Sequence, residues 1–136
     1  MIEVPEPYTV PAEGTDVFRN FVVRALVLAG AFADALPHLR EAVRLSPDDG
    51  TARNNLGGAL LETGRVAEAV AQLRRAVEAD PGSLNAQYNL GRALALRGHL
   101  DEAAAHLEQA LRIQADDPDA QRELAAVRAR QARRPN

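Results

Sequence analysis

Few side chains in this 136-residue sequence are of the types that carry out catalysis or hold a metal ion. Cysteine and lysine are absent, which excludes thiolate ligands, disulfides and Schiff-base chemistry on lysine. His99 stands alone between two predicted helices. His38 and His106 share one position of a repeat described below but lie two repeats apart, so they cannot hold one metal ion together. We predict that all three histidines are solvated surface side chains and that the chain has no metal site.

The acidic side chains favour helix capping over acid–base catalysis. Three pairs, Asp48–Asp49, Asp101–Glu102 and Asp116–Asp117, lie where helices are predicted to begin, and negative charge there complements the helix dipole. The two serines, Ser46 and Ser83, lie in predicted turns, and the sequence contains no GxGxxG motif and no phosphate-binding loop. We therefore predict no catalytic residue and no cofactor, and we expect that the chain is not an enzyme.

The charge of the chain indicates no strong electrostatic partner. The formal net charge is −3 at pH 7, and all sixteen basic residues are arginine, in a composition rich in Ala, Gly and Pro that is typical of GC-rich bacterial genomes. A solvated helix end explains the arginines near the C-terminus, with an acidic partner or RNA as the alternative. Because no aromatic side chains are interleaved with them, nucleic acid is not favoured. These arginines are Arg122, Arg128, Arg130, Arg133 and Arg134.

The elements that must position the remaining polar residues come from an internal repeat of 34 residues, the spacing from Gly64 to Gly98. Repeats of this length indicate stacked helical hairpins. The glycine between two helices permits a tight turn, small residues let the helices approach closely, and leucines such as Leu73 and Leu107 fill the layers between them. The matching residues are Leu56, Gly57, Leu60, Gly64, Glu68, Ala69, Leu73 and Ala76 with Leu90, Gly91, Leu94, Gly98, Glu102, Ala103, Leu107 and Ala110.

This register predicts an all-α solenoid of three helix-turn-helix repeats and a C-terminal cap helix. The repeats are 16–49, 50–83 and 84–117, the cap helix is 118–132, and the repeat domain as a whole is 16–132. Residues 1–15 contain Pro5, Pro7 and Pro11 and are predicted to form an extended arm, because proline fixes φ and disfavours helix before it. Residues 133–136 are predicted to fray.

The first helix of the first repeat departs from the pattern. The Leu-Gly pair of the other repeats is replaced by Val22 and Val23, and the helix is apolar on nearly every face. A helix of this kind needs cover on every face. We expect either the arm 1–15 or a second copy of the chain to cover it, which would make the protein a homo-oligomer in the second case.

The repeated pattern resembles the tetratricopeptide repeat over residues 16–132. The resemblance implies a right-handed superhelix of antiparallel helix pairs, in which the first helices line a concave groove for an extended peptide. By analogy, Leu28 and Leu96 would add apolar contact in the groove. The candidate groove residues that the resemblance implies are Asn20, Phe21, Arg24, Asn54, Asn55, Glu62, Asn85, Tyr88, Asn89 and Arg92.

Two modes of peptide recognition in the family lead to different expectations here. Some co-chaperone members hold a C-terminal carboxylate with two lysines, two asparagines and an arginine, but only Asn55 matches that set, so we do not expect such a clamp. Asparagine at the sixth position of successive repeats, Asn55 and Asn89, resembles the arrangement with which other members hold a ligand's backbone through amide donors and acceptors. The alternative is that these asparagines are simply common in the repeat and face solvent.

A second, shorter resemblance concerns residues 8–23. This segment is similar to the start of a domain related to copper type II, ascorbate-dependent monooxygenases found in large bacterial exported proteins. The His- and Met-containing copper region that should follow is absent. The resemblance therefore implies a remnant of a larger exported oxidoreductase-like protein that has lost its enzymatic part.

Three functions follow from the sequence. The first is a protein-protein interaction scaffold that binds an extended segment of a protein or peptide. The alternatives are a self-associating structural module, which pairs through its first helix and arm, and the remnant described above. The sequence has no signal peptide and no apolar run that could span a membrane, so we expect a cytoplasmic protein without membrane contact, or a periplasmic one if the sequence is a fragment.

Overall fold

In the computed structural model, which describes residues 16–135, the chain forms seven α-helices and no β-strand within that range. This confirms the predicted all-α solenoid of helical repeats. None of these helices is long and apolar enough to cross a membrane. The helices are α1 (Asp16–Leu28), α2 (Phe32–Leu45), α3 (Gly50–Glu62), α4 (Val66–Ala79), α5 (Leu84–Leu96), α6 (Leu100–Ile113) and α7 (Pro118–Ala132). The arm 1–15 lies outside the described residues.

Three-residue turns join the two helices of each repeat, and each turn depends on a glycine. Gly30, Gly64 and Gly98 have φ values of +73°, +80° and +80°, a region that residues with a Cβ rarely adopt. In the second turn, the backbone N–H of Arg65 donates to the Leu60 carbonyl at 2.8 Å, which closes the end of α3. The positive φ of the glycine therefore allows a three-residue turn, and the following helix packs back against the preceding one.

The turns between repeats place a helix-capping side chain at the start of the next helix. The N–H of Thr51 donates to the Asp49 carboxylate at 2.9 Å, and Ser83 and Asp117 cap α5 and α7 in the same way. The capping role predicted for the first and third acidic pairs is thus confirmed. The pair Asp101–Glu102 lies inside the first turn of α6, where its charge still favours the helix dipole.

The core consists of leucines that interdigitate with small residues. A Cβ built on Gly57 would lie 2.5 Å from Leu73 Cγ, and one built on Gly91 would lie 2.6 Å from Leu107 Cγ. Real Cβ atoms do not approach so closely, so α3 and α4, and likewise α5 and α6, touch at a distance that only glycine permits. Leu73 and Leu107 are completely buried, as the sequence predicted.

A recurring side-chain hydrogen bond across the turn between consecutive repeats was not predicted from the sequence. Near the start of three helices, one side chain donates to the carbonyl oxygen six residues earlier: Arg53 Nε to Pro47 at 2.7 Å, Gln87 Nε2 to Pro81 at 2.9 Å, and Gln121 Nε2 to Ala115 at 2.9 Å. Arg53 and Gln87 are buried. The signal was the recurrence of a long hydrogen-bond donor at the fourth position of each repeat, where a surface residue would otherwise be expected.

The two ends of the solenoid are closed to different extents. The last helix, α7, buries Ala120, Leu124 and Val127 against the stack. Residues 19–28 of α1 contain no buried side chain, and Leu28 is 86% exposed. The cover expected for α1 from the arm falls on residues outside the described range. Fraying of 133–136 stays a prediction, although the Arg134 guanidinium contacts the Asp101 carboxylate at 2.8 Å.

Candidate functional site

The first helices of the three repeats line one face of the molecule, and a cleft of about 450 Å³ opens there between α1 and α3. Side chains from α1, α2, α3 and α5 form its walls. The cleft brings together five of the groove residues that the sequence predicted. They are Arg24, Asn54, Asn55, Asn85 and Asn89.

The four asparagines are not equivalent. Asn89 Nδ2 donates to Asn54 Oδ1 at 3.0 Å, which joins α5 to α3, and both side chains are half-buried. Asn55 and Asn85 are exposed. Because a primary amide offers two N–H groups and one carbonyl oxygen, the Asn54–Asn89 bond leaves donors on both residues and the Asn89 oxygen available to a ligand. One wall of the cleft is therefore a row of amides with spare hydrogen-bonding capacity.

Tyr88, Arg92 and Glu62 form a separate polar cluster beyond the cleft. The Arg92 guanidinium lies 3.4 Å from the Glu62 carboxylate and 5.7 Å from the centroid of the Tyr88 ring, a cation–π distance. Burial raises the pKa of the Tyr88 hydroxyl. The charge of Arg92 is thus already balanced within the chain.

Arg24 occupies the same repeat position as Arg92 but lacks its partners. Its side chain is exposed at the rim of the cleft and forms no hydrogen bond or ion pair with any residue of the range 16–135. It is therefore a cation available to an acidic group of a ligand.

Asn20 and Phe21 lie outside this cleft. Asn20 lines a smaller cavity of about 290 Å³ together with Val23, Leu39 and Asn55, on the side of α1 that faces the start of α3. Phe21 borders neither cavity and is 41% exposed. The predicted groove residues are thus divided among the cleft, the smaller cavity, the Tyr88 cluster and the open surface of α1.

Apart from Leu28, which was predicted to add apolar contact, the apolar part of the cleft was missed by the sequence analysis. Its walls include side chains of α1 and α2 that were assigned to packing or not singled out. The available signal was Val23, because the other two repeats carry glycine at its position. The apolar residues of the cleft are Val23, Val27, Leu28, Phe32, Leu39 and Ala59.

Two histidines are less exposed than predicted: His38 is half-buried, and His106 is half-buried and also hydrogen-bonded. His106 was expected to be a solvated surface side chain, but it is half-buried and its Nδ1 lies 2.8 Å from Gln87 Oε1. Burial lowers its pKa. The prediction was wrong here because the buried Gln87 needs a second hydrogen-bond partner. No group of three or more His, Cys, Asp or Glu side chains in the described part of the chain could hold a metal ion.

Four of the five C-terminal arginines interact through their side chains with their own chain. Their contacts with acidic groups and one backbone carbonyl reduce the positive charge that this end offers to an acidic partner. The contacts are Arg122 with Asp119, Arg128 with Glu108, Arg134 with Asp101, and Arg130 with the Ala95 carbonyl oxygen.

Comparison with known proteins identifies the repeat. Two family models, both described as tetratricopeptide repeat, match residues 23–84 and 64–130. A search of curated proteins found no match. Half of the segment 8–23, which resembles a copper monooxygenase-like domain, falls outside the described residues, and this resemblance stays a prediction.

Solved structures share the fold. The first tetratricopeptide domain of Spaghetti (RPAP3), bound to an HSP90 peptide, is 18% identical, with a TM-score of 0.79 over 84% of this chain and 90% of that one. The Arabidopsis OM64 tetratricopeptide domain is 21% identical, with a TM-score of 0.77 over 82% of this chain and 93% of that one. YrrB, described as a protein of this repeat class with an unusual peptide-binding site, is 33% identical, with a TM-score of 0.72 over 82% of this chain and 57% of its own.

Proposed function

The chain belongs to the tetratricopeptide repeat family, and we propose that it is a protein-interaction module that holds an extended peptide segment against the first helices of its repeats. The observation that carries the proposal is the amide row of Asn54, Asn55, Asn85 and Asn89 along one wall of an open cleft. Similar folds solved with bound peptides support it. The proposal assigns no catalytic step to the chain.

The amide row suits the backbone of an extended ligand. An extended segment presents N–H and carbonyl groups in alternation, and each asparagine amide can pair with either. Such pairing contributes about 0.5–1.5 kcal/mol per hydrogen bond and does not depend on the ligand's side chains. The backbone contacts therefore provide affinity, and the residues around the row provide preference.

Substitution of both sixth-position asparagines tests the proposal. Extended peptides are selected from a random decapeptide display library on the immobilised full chain, and their affinities are measured for the parent and for Asn55→Ala combined with Asn89→Ala. We expect the double variant to bind more weakly by about 1–3 kcal/mol, from the loss of two or three hydrogen bonds. Gln109→Ala removes an exposed amide from α6 and serves as the matched control.

The outcome has to be separated from an effect on folding. Asn89→Ala also breaks the bond to Asn54, so the thermal midpoint is measured for each variant and binding is measured well below it. If the double variant binds the selected peptides as tightly as the parent, the asparagines do not hold the ligand and the proposal fails.

The exposed apolar side chains of α1 favour self-association as a second candidate function. Phe21, Val27 and Leu28 are 41%, 39% and 86% exposed on one helix. A second copy that covers this surface would produce a dimer that dissociates on dilution. Sedimentation of the full chain tests this, with Leu28→Glu as the disrupting variant; a strict monomer at about 100 μM, well above the Kd of a stable dimer, rules it out.

A further inference from the structure

One residue that lines the cleft departs from the repeat pattern. Gly57 and Gly91 stand at the point where the two helices of a repeat come closest, with no room for a Cβ beside Leu73 and Leu107. The same position in the first repeat is Val23, which faces the corresponding Leu39. A valine has three side-chain carbons where the other repeats have none, which favours a wider spacing between α1 and α2. Val23 and Leu39 accordingly line cavities on both sides of the contact.

The larger cavity is open to the groove and apolar at its base. Val23, Val27, Phe32 and Leu39 contribute to it, and Leu28 stands almost fully exposed at its edge. Its volume of about 450 Å³ falls within the range of about 300–1,000 Å³ that is usual for ligand pockets. An apolar pocket beside a row of backbone-binding amides is suited to one large side chain of the same extended segment.

The positive charge of Arg24 at the rim of the cleft indicates which peptide residue lies next to the inserted peptide side chain. Arg24 and Val27 are three residues apart on α1, so their side chains lie on the same face of the helix. Arg24 has no partner within residues 16–135, whereas its repeat equivalent Arg92 is paired with Glu62 and stacked on Tyr88. A carboxylate next to the inserted side chain would fill this position.

We propose that the cleft beside Val23 is a specificity pocket that takes one large aliphatic or aromatic side chain of the bound peptide, with an adjacent Asp or Glu paired to Arg24. The proposal rests on the proposed function and adds the ligand class to it. The occupant is an internal segment of a protein partner, because neither contact needs a free chain end.

Three labelled peptides test the ligand class. They are nine residues long, acetylated and amidated at their ends, and differ only in a central Leu-Glu, Ser-Glu or Leu-Gln within a Gly, Ser and Asn background. Binding to the full chain is followed by fluorescence anisotropy. We expect the Ser-Glu peptide to bind about 10- to 100-fold more weakly than Leu-Glu, because a leucine side chain loses its burial. The Leu-Gln peptide should bind about two- to fivefold more weakly, with the difference reduced at high salt.

A variant that fills the pocket tests its location. A Cβ on Gly58 would meet nothing closer than Asn89 Nδ2 at 3.7 Å, and Gly58 lies within α3, where replacing glycine favours the helix. Gly58→Leu should therefore keep or raise the thermal midpoint and abolish the preference for Leu-Glu over Ser-Glu. Ala71→Leu, which adds the same side chain to an exposed position of α4, should keep the preference. If Gly58→Leu does not fold, Val27→Ser at a 39% exposed position makes the pocket wall polar instead, and it should reduce the preference for Leu-Glu over Ser-Glu.

The outcomes separate the pocket from the groove. If the parent binds Leu-Glu and Ser-Glu equally tightly, or if Gly58→Leu keeps the preference, the pocket is refuted and the proposed function stands. If the parent binds none of the three peptides but does bind library peptides that lack an apolar residue next to an acidic one, the ligand class is wrong. If the parent dimerises and Gly58→Leu is monomeric, a second copy occupies the cleft and the proposal is overturned.

Discussion

The first hairpin, α1–α2, and the two that follow it, α3–α4 and α5–α6, are built on one repeat but packed to different depths. In the second and third repeats, glycine at the closest contact lets Leu73 and Leu107 reach complete burial. In the first repeat, Val23 occupies this position and lines two cavities together with Leu39. The repeats thus differ at one position in the packing of their helices, with glycine in a close contact in two of them and valine beside a cleft in the first.

Truncation of the central leucine should show the largest difference between the two regions. Leu73→Ala should lower the free energy of unfolding by about 2–5 kcal/mol, because it leaves a cavity inside a close-packed layer. Leu39→Ala should cost less than Leu73→Ala, since Leu39 already borders two cavities and its surroundings can relax. Urea denaturation followed by circular dichroism measures both. Equal losses, or a loss below about 0.5 kcal/mol at Leu73, would contradict the difference in packing.

Substitution of the residue at the helix–helix contact, Gly57 or Val23, should change the free energy of unfolding by different amounts in the two repeats. Gly57→Val places the residue of the first repeat in the second and should destabilise it by about 1–3 kcal/mol through overpacking against Leu73. Val23→Ala should change stability by less than about 1 kcal/mol, because the lost packing is offset by the higher helix propensity of alanine. The same denaturation experiment measures both variants. If Gly57→Val is tolerated without loss, the close contact does not depend on glycine.

Much of the fold could be predicted because each 34-residue repeat contains the residues that determine its own turn, caps and core. The glycines at +φ turns, the capping residues and the buried leucines recur at one spacing, so each repeat supports the assignment of the others. The structure brings Asn54, Asn55, Asn85 and Asn89, which were selected by analogy, to one cleft. Their role in binding stays a prediction.

The remaining features depend on how side chains of different helices meet, which a linear pattern does not express. The Asn54–Asn89 bond, the buried Arg53 and the contact between Gln87 and His106 all join residues of two helices. Each of these side chains is of a polar type that is usually found at the protein surface. The cleft was missed for a related reason, since Val23 was interpreted as apolar surface of α1 and not as a spacer between α1 and α2.

His106, which contacts Gln87 in the closely packed third repeat, should make the free energy of unfolding depend on pH. Burial lowers the pKa of His106 in the folded chain, partly opposed by Glu102, which raises it, while Arg74 lowers it. The unfolded chain then binds more protons than the folded chain around the ordinary histidine pKa of about 6.5. This contribution is present above that pH and is lost as the pH falls through it.

Urea denaturation between pH 5 and pH 8 measures this effect. His106→Gln should remove part of the decline in stability toward low pH while keeping a hydrogen-bonding group near Gln87. Gln109→Ala on the same helix replaces an exposed side chain and removes no titratable group, so this control variant should leave the decline unchanged. The interpretation is wrong if the parent and His106→Gln lose stability in parallel.

The smallest expected effect concerns ion pairs that join consecutive repeats through their second helices. Arg40 contacts Glu68, and Arg74 contacts Glu102 at the same positions one repeat later. All four side chains are substantially exposed, so each pair should contribute about 0.2–1 kcal/mol, measured by a double-mutant cycle with alanine. Because α2 and α4 differ little in this surface contact, the two coupling energies should be equal within error. A markedly weaker Arg40–Glu68 coupling would mean that the spacing imposed by Val23 extends through α2 to the opposite surface, and that the first hairpin as a whole is attached differently from the other two.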